Sequence, residues 1–275
     1  MKNIKKIKTE IRDTSQFKSI VEVYEEISAM KMRNIREGIV DSREFLERLA
    51  YLSNEVGSDL ASVVGTGGSA TVYLSASSGM YGELPEKVFN AFLSHIEKNK
   101  TTVFIFGKQV RAYVEKYRPN LKFNYYDLDD RKSIEELLAE SLKSLVDFSV
   151  ITVFYGKFHN LINQDAASVS IMGDFFKEFN TNTDKKDVLE RQFKYIYEPS
   201  VLEVSNKFAT EIKTSVLEGM IKENNLAKTG SRLMHLDQAY ENVEKKLALL
   251  EIVKNRENKR VEDKKQQERI KRLWL

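Results

Sequence analysis

Cysteine is absent from the chain. That single absence removes disulfides, thiolate metal sites and cysteine nucleophiles together, gives no reason to expect secretion, and leaves the cytoplasm as the expected compartment. Proline occurs three times and glycine twelve times in 275 residues, too few for a loop-rich all-β fold or for disorder driven by those residues. A mostly helical chain is expected. No run of eighteen apolar residues occurs, and the basic start MKNIKKIKTEIRDTSQF leads into no apolar signal core, so any membrane association is expected to pass through a partner. The formal net charge is only +3, with a pI near 8.7, which is weak support for a nucleic-acid partner.

What the chain has is charge and helical rhythm. Charged residues make up 31%, above the roughly 25% of an average domain, and long solvated helix faces account for such an excess. Apolar residues at Ile4, Ile7 and Ile11, and again at Leu233, Leu236, Tyr240, Val243, Leu247 and Leu250, alternate steps of three and four, the seam of a coiled coil. The two ends of the chain are therefore expected to pair antiparallel, a shaft with the middle of the chain folded as a knob on its side. From Asn3 to about Glu55 there is no proline and only Gly38, and apolar residues continue through Phe17, Ile20, Tyr24 and Ile27 to Ile35, Ile39, Leu46 and Leu49. One long helix is predicted, far beyond the mean globular length. The glycine-rich run Val64 to Ser69 reads as its end and as a hinge. It is not a phosphate loop, because no Lys-Ser/Thr follows its last glycine and the next residues read as a strand.

The middle alternates strand-like runs (Ala70–Ser75, Thr101–Phe106, Leu121–Tyr126, Ser149–Tyr155) with amphipathic stretches (Pro85–Glu97, Gln109–Tyr117, Ser133–Leu145), which predicts a parallel-type sheet with helices on its faces. Ser168–Met172 is a candidate edge strand, and Asn180–Gln192 a polar surface loop. The last helix is expected to begin near Glu198-Pro199, where proline suits a first turn, with a break near Gly230. The fold class expected is α/β: a long antiparallel coiled coil of the terminal helices with a Rossmann-like domain inserted between them. Its parts are an N-terminal helix over 1–62, an α/β domain over 63–192 and a C-terminal helix over 193–275.

No catalytic constellation stands out. His95, His159 and His235 lie far apart, none with a carboxylate or second histidine at ligand spacing, so no metal is expected. Ser77-Ser78-Gly79-Met80-Tyr81-Gly82 follows the first strand, where α/β folds place ligands; a tight turn in which Gly79 and Gly82 supply unusual backbone angles explains it more simply than a pocket with Ser78 as donor. Asp129-Asp130 and Glu135-Glu136 read as solvated helix starts. No cofactor is expected. The basic runs around Lys2, Lys5, Lys6 and Lys8 and in the C-terminal tail lack interleaved aromatics, so nucleic acid is not expected as a partner.

Several motifs, taken in order, carry a resemblance. Ile4-Lys5-Lys6-Ile7 leading to Ser28-Ala29-Met30-Lys31-Met32-Arg33, the strand and turn Leu74 to Gly82, Phe106-Gly107-Lys108-Gln109-Val110-Arg111-Ala112-Tyr113, and Tyr195-Ile196-Tyr197-Glu198-Pro199-Ser200 resemble the γ subunit of F-type rotary ATP synthases. In that family the corresponding patterns are I-(R/K)-x-(R/K)-I with A-A-x-K-(M/L)-R, a strand ending in S-D-R-G-L-C-G-G, I-G-(K/R)-(K/R)-G-x-x-F, and Y-x-(Y/F)-E-P-(S/D). The resemblance covers essentially the whole chain. It implies a central stalk that rotates inside a hexamer of alternating α and β subunits, with the catalytic sites on those partners and none in this chain.

It further implies a partner surface made of Ile4, Ile7, Lys31, Met32 and Arg33 at one end and Asn255, Arg256, Lys259, Arg260 and Trp274 at the other. An ε-like stalk subunit, a membrane turbine reached through other subunits, and a place at the inner face of the cell membrane belong to the same implication. Asn258 and Lys259 stand where the family carries an Arg-Gln pair, and Glu25-Glu26-Ile27 where it carries a Met-rich apolar segment, which marks a divergent member. An F-type-like ATPase that drives motility or transport, and a non-rotary coiled-coil tether with an α/β binding module, are the alternatives. Beyond Leu250 and Val253 the apolar heptad positions run out, so about twenty residues are expected to extend some 30 Å as an unpartnered helix.

Overall fold

The computed structural model describes residues 2–56, 67–76, 79–128, 134–171, 198 and 200–273. Packing divides the chain into two compact units: Met1–Met30 with Arg232–Leu275, and Lys31–Ser231. Helix α1, Lys2–Val56, and helix α5, Val201–Leu273, each contribute to both. The near-absence of proline and glycine lets both helices run this far. Ser200 caps the start of α5, its Oγ accepting from the Glu203 amide at 3.2 Å. The expected break at Gly230 does not occur. A Cβ there would stand 2.9 Å from the Phe158 ring, so the glycine permits close packing and leaves the helix intact.

In the second unit the described strands are β1 (Gly67–Leu74), β2 (Thr102–Phe106), β3 (Phe123–Tyr126), β4 (Phe148–Phe158) and β5 (Gln164–Ile171). Helices α2 (Leu84–Lys98), α3 (Lys108–Tyr117) and α4 (Ile134–Leu145) connect the parallel strands. The sheet order is β3-β2-β1-β4-β5, parallel throughout except for the antiparallel edge strand β5. Because successive strand residues face opposite ways, the central strands feed two cores. Val72, Phe104 and Val153 pack with α4 and with Ile212, Val216 and Ile221 of α5. Tyr73, Ile105 and Phe154 pack with Phe89 and Phe92 of α2 and Val110 and Val114 of α3. Strands buried on both faces read as near-continuous apolar runs, which is why β1, β2 and β4 were visible in the sequence.

Two glycines hold this sheet in ways the sequence reading did not anticipate. Gly67 and Gly68 belong to β1 and not to a hinge: a Cβ on Gly67 would sit 2.5 Å from the Asp147 carbonyl, to which the Gly67 amide donates at 3.0 Å. Gly107, between β2 and α3, has φ +102° and ψ 151°, a region only glycine occupies readily. In the turn after β1 the positive φ angles fall on Met80 and Gly82, so Met80 takes the role expected of Gly79; Ser77 and Ser78 lie outside the described residues.

In the first unit the seam keeps the heptad register of Ile4, Ile7 and Ile11. It continues through Thr14, Lys18, Val21, Glu25 and Ser28, all buried or half-buried. Phe17, Ile20, Tyr24 and Ile27, expected on that stripe, are exposed instead. Three-four spacing forces this, since each of them lies one residue before a seam position. On α5 the buried or half-buried rhythm runs Leu233, Leu236, Tyr240, Val243, Leu247 and Leu250, then passes through Lys254, Glu257 and Val261. Val253, expected on the seam, is 42% exposed.

Candidate functional site

The first unit turns the usual arrangement of a helix pair outward. Its seam carries polar groups, while α1 presents Phe17, Ile20, Val23, Tyr24, Ile27 and Met30 to the outside at 38 to 53% exposure. Steps of three and four keep Phe17, Ile20, Tyr24 and Ile27 on one side of the helix. Apolar surface gathered in such a stripe marks an interaction surface more often than chance scatter does.

Inside the seam, Lys18 Nζ donates to Glu244 Oε1 at 3.1 Å and stands 4.6 Å from the centre of the Tyr240 ring. Tyr240 first and Glu244 second hold its ammonium group above the usual lysine range. Lys246 pairs with Glu10 at 3.2 Å. A polar group at a seam position costs stability and selects one register over others, so Lys18 with its partners favours one alignment of α1 with α5 within the unit, while the exposed Glu10–Lys246 pair adds little.

The residues implied as partner contacts fall into different environments. Ile7 is buried and Ile4 half-buried in the seam of the first unit, where they serve the helix pair itself. Asn255, Arg256, Lys259 and Arg260 are exposed on α5 of that unit, Arg260 with Glu257 at 3.0 Å. In the second unit Lys31 and Arg33 are exposed and Met32 is half-buried. Trp274 lies outside the described residues, as do Tyr195 to Tyr197 and Pro199. From Glu262 to Leu273 every described residue of α5 is exposed, the expected helix without a packed partner, and it begins after Val261 instead of after Val253.

Among the described residues no group of three or more histidine and carboxylate side chains is placed to hold a metal. His95 packs 5.1 Å from the Phe154 ring, and burial lowers its pKa below 6.5; His159 lies 3.9 Å from Asp165 on an exposed turn, and His235 is exposed. Among the described residues no helix is long and apolar enough to cross a membrane. Sequence reasoning missed a different set: Lys213, Glu223, Asn224 and Lys228 of α5 are buried in the second unit. Their signal was present, as polar residues set into the otherwise apolar face of Ile212, Val216, Leu217 and Ile221.

Comparison with known proteins agrees with the motifs. The family model described as ATP synthase matches residues 3–260. Among curated relatives, the ATP synthase gamma chain of Jannaschia sp. (strain CCS1) is 25% identical over 292 residues and that of Mesoplasma florum is 24% identical over 271; the alignments cover 95% and 94% of this chain and 95% and 92% of theirs. The rotor of the Euglena gracilis mitochondrial ATP synthase in rotational state 1 superposes with a TM-score of 0.64 at 14% identity, over 94% of this chain and 98% of that one. That likeness shows the fold, long terminal helices around an inserted α/β sheet. With a family model matching nearly its whole length and gamma chains aligned end to end with it, this chain belongs to the ATP synthase family, as a divergent gamma subunit.

Proposed function

We propose that the chain is the central rotor shaft of an F-type rotary ATPase, turning inside a ring of α and β subunits that hold the catalytic sites and coupling their ATP chemistry to rotation. The observation that carries this reading is the outward apolar stripe of α1 in a unit whose own seam is partly polar. A helix pair that stood in water by itself would place Phe17, Ile20 and Tyr24 inside and Lys18 outside. The gamma chains it resembles supply the identity of the ring. Lys31 and Arg33 in the second unit, Asn255, Arg256, Lys259 and Arg260 in the first, and Trp274 beyond the described residues, are the further contacts we assign to it. An ε-like stalk subunit and a membrane turbine, reached through other subunits at the inner face of the cell membrane, complete the proposed assembly.

Co-expression with the α and β subunits from the same cell tests the reading. The expected result is a stable complex with ATPase activity, from which a Phe17→Asp/Ile20→Asp chain is lost although its own melting is unchanged, because both positions are exposed in the free unit. Full retention of that variant, or a chain that never associates with the co-expressed α and β subunits, overturns the proposal and returns the tether alternative. The isolated chain should show no ATPase activity above background.

A further inference from the structure

Several buried polar residues of α5 reach for backbone groups of the sheet, at the two ends of β4 and just beyond β1. At the start of β4 Lys213 Nζ donates to the carbonyls of Val146 at 2.7 Å and Phe148 at 3.0 Å. At its end Asn224 Oδ1 accepts from the Gly156 amide at 3.0 Å and Glu223 Oε1 from the Phe158 amide at 3.3 Å. Asn224 Nδ2 and Lys228 Nζ donate in turn to the Ser75 carbonyl just beyond β1, at 3.4 and 3.3 Å. Ser231 Oγ donates to the Tyr81 carbonyl at 2.8 Å.

The topology explains why these groups are available. β4 last pairs with β1 at Phe154, opposite Tyr73, so beyond it the strand loses its neighbour on that side and would leave the Gly156 and Phe158 amides unpaired. Side chains of α5 take them. Contact there is as close as the chain permits: a Cβ on Gly156 would meet Leu84 at 3.0 Å and Ala227 at 3.3 Å, and one on Gly230 would meet Phe158 at 2.9 Å.

We propose that Lys213, Glu223, Asn224 and Lys228 form a shear lock between α5 and the sheet, through which torque passes between that helix and the α/β domain. The inference rests on the rotor reading. Between the two ends of β4 the contact with α5 is apolar, made by Ile212, Val216, Leu217 and Ile221, and apolar contact is non-directional: it holds a helix onto a sheet but resists sliding along it poorly. Hydrogen bonds weaken steeply once their geometry is lost. Bonds spread over about 22 Å of helix, from Lys213 to Lys228, oppose both translation of α5 along β4 and rotation about its own axis. Burial lowers the Lys213 pKa, a cost in solvation that its two carbonyl bonds oppose.

The test uses the chain assembled with its α and β partners, the ring fixed to a surface and a bead attached through a single cysteine introduced at exposed Lys122. In a Lys213→Met/Asn224→Leu chain, which keeps side-chain bulk but removes the bonds to Val146, Phe148, Gly156 and Ser75, the variance of bead angle during pauses should rise about twofold or more, while ATP turnover stays within about twofold. Unchanged variance in a rotating complex overturns the lock and leaves the rotor reading standing; an unsubstituted chain that never rotates with the ring overturns the rotor reading itself. Should the variant fail to fold, amide exchange in the unsubstituted chain decides: Gly156 and Phe158 protected about a hundredfold or more over Asn120 in the exposed turn before β3 supports the lock, and free exchange at those amides refutes it.

Discussion

At the scale of single residues, backbone conformation and burial set the most specific expectations. Gly107 combines φ +102° with an Ala76 carbonyl oxygen 3.1 Å from where a Cβ would stand. Backbone cannot yield as a flexible side chain does, so Gly107→Ala should cost about 1–3 kcal/mol, read as a lower urea midpoint with unchanged slope. His95 gives a pH dependence. Its pKa is lowered by burial against Phe154, so the unfolded chain binds the proton more tightly than the folded one. The stability it contributes is therefore complete above pH 6.5 and drains away as the pH falls from there toward the folded value. The urea midpoint of the native chain should fall relative to that of His95→Phe as the pH drops below 6.5 if the loss is this histidine's; an identical pH profile for both would assign it elsewhere.

Among the elements, strands and helices of the α/β unit were legible because apolar runs, proline at Pro85 and glycine at Gly107 mark their borders in the sequence. The strand order was not, since it depends on which crossovers pass which face of the sheet. Half of the coiled-coil seam was legible as well. Leu236 and Val243 are buried where heptad spacing placed them, but on α1 the seam past Ile11 runs through Thr14, Lys18 and Glu25, and a reading that follows hydrophobicity drifts to Phe17 and Ile20. Only the geometry of a fixed register corrects it. The same register ranks two substitutions: Leu236 is 4% exposed and Leu247 half-buried, so Leu236→Ala should lower stability by about 2–4 kcal/mol and Leu247→Ala by clearly less, compared by chemical denaturation. The polar clamp on β4 escaped sequence reading because Lys213 and Asn224, though set into an apolar helix face, do not reveal which backbone groups they reach until those partners are seen.

For the molecule as a whole, the division of labour between seam and surface governs assembly. Removing residues 262–275 should leave the melting of the free chain unchanged, because the described part of that segment is exposed throughout, yet shorten its residence in the α/β ring as measured by subunit exchange. Arg256→Ala/Lys259→Ala/Arg260→Ala should lower ATP turnover of the complex without preventing its formation, each charge contributing modestly; a fully active complex would reduce the tail to a solvated extension. The polar seam has one more result, in heat capacity. Hydration of apolar surface sets the heat-capacity increment of a transition, and Thr14, Lys18, Glu25 and Ser28 replace in the seam the large apolar groups that α1 turns outward. Separating the two helices of the first unit therefore exposes only the apolar part of the seam, among it Ile7, Val21, Leu236 and Val243, while covering Phe17, Ile20, Val23 and Tyr24 on entry into the ring should add a negative increment of its own. Calorimetry of this protein would find the signature of a folding core in its assembly.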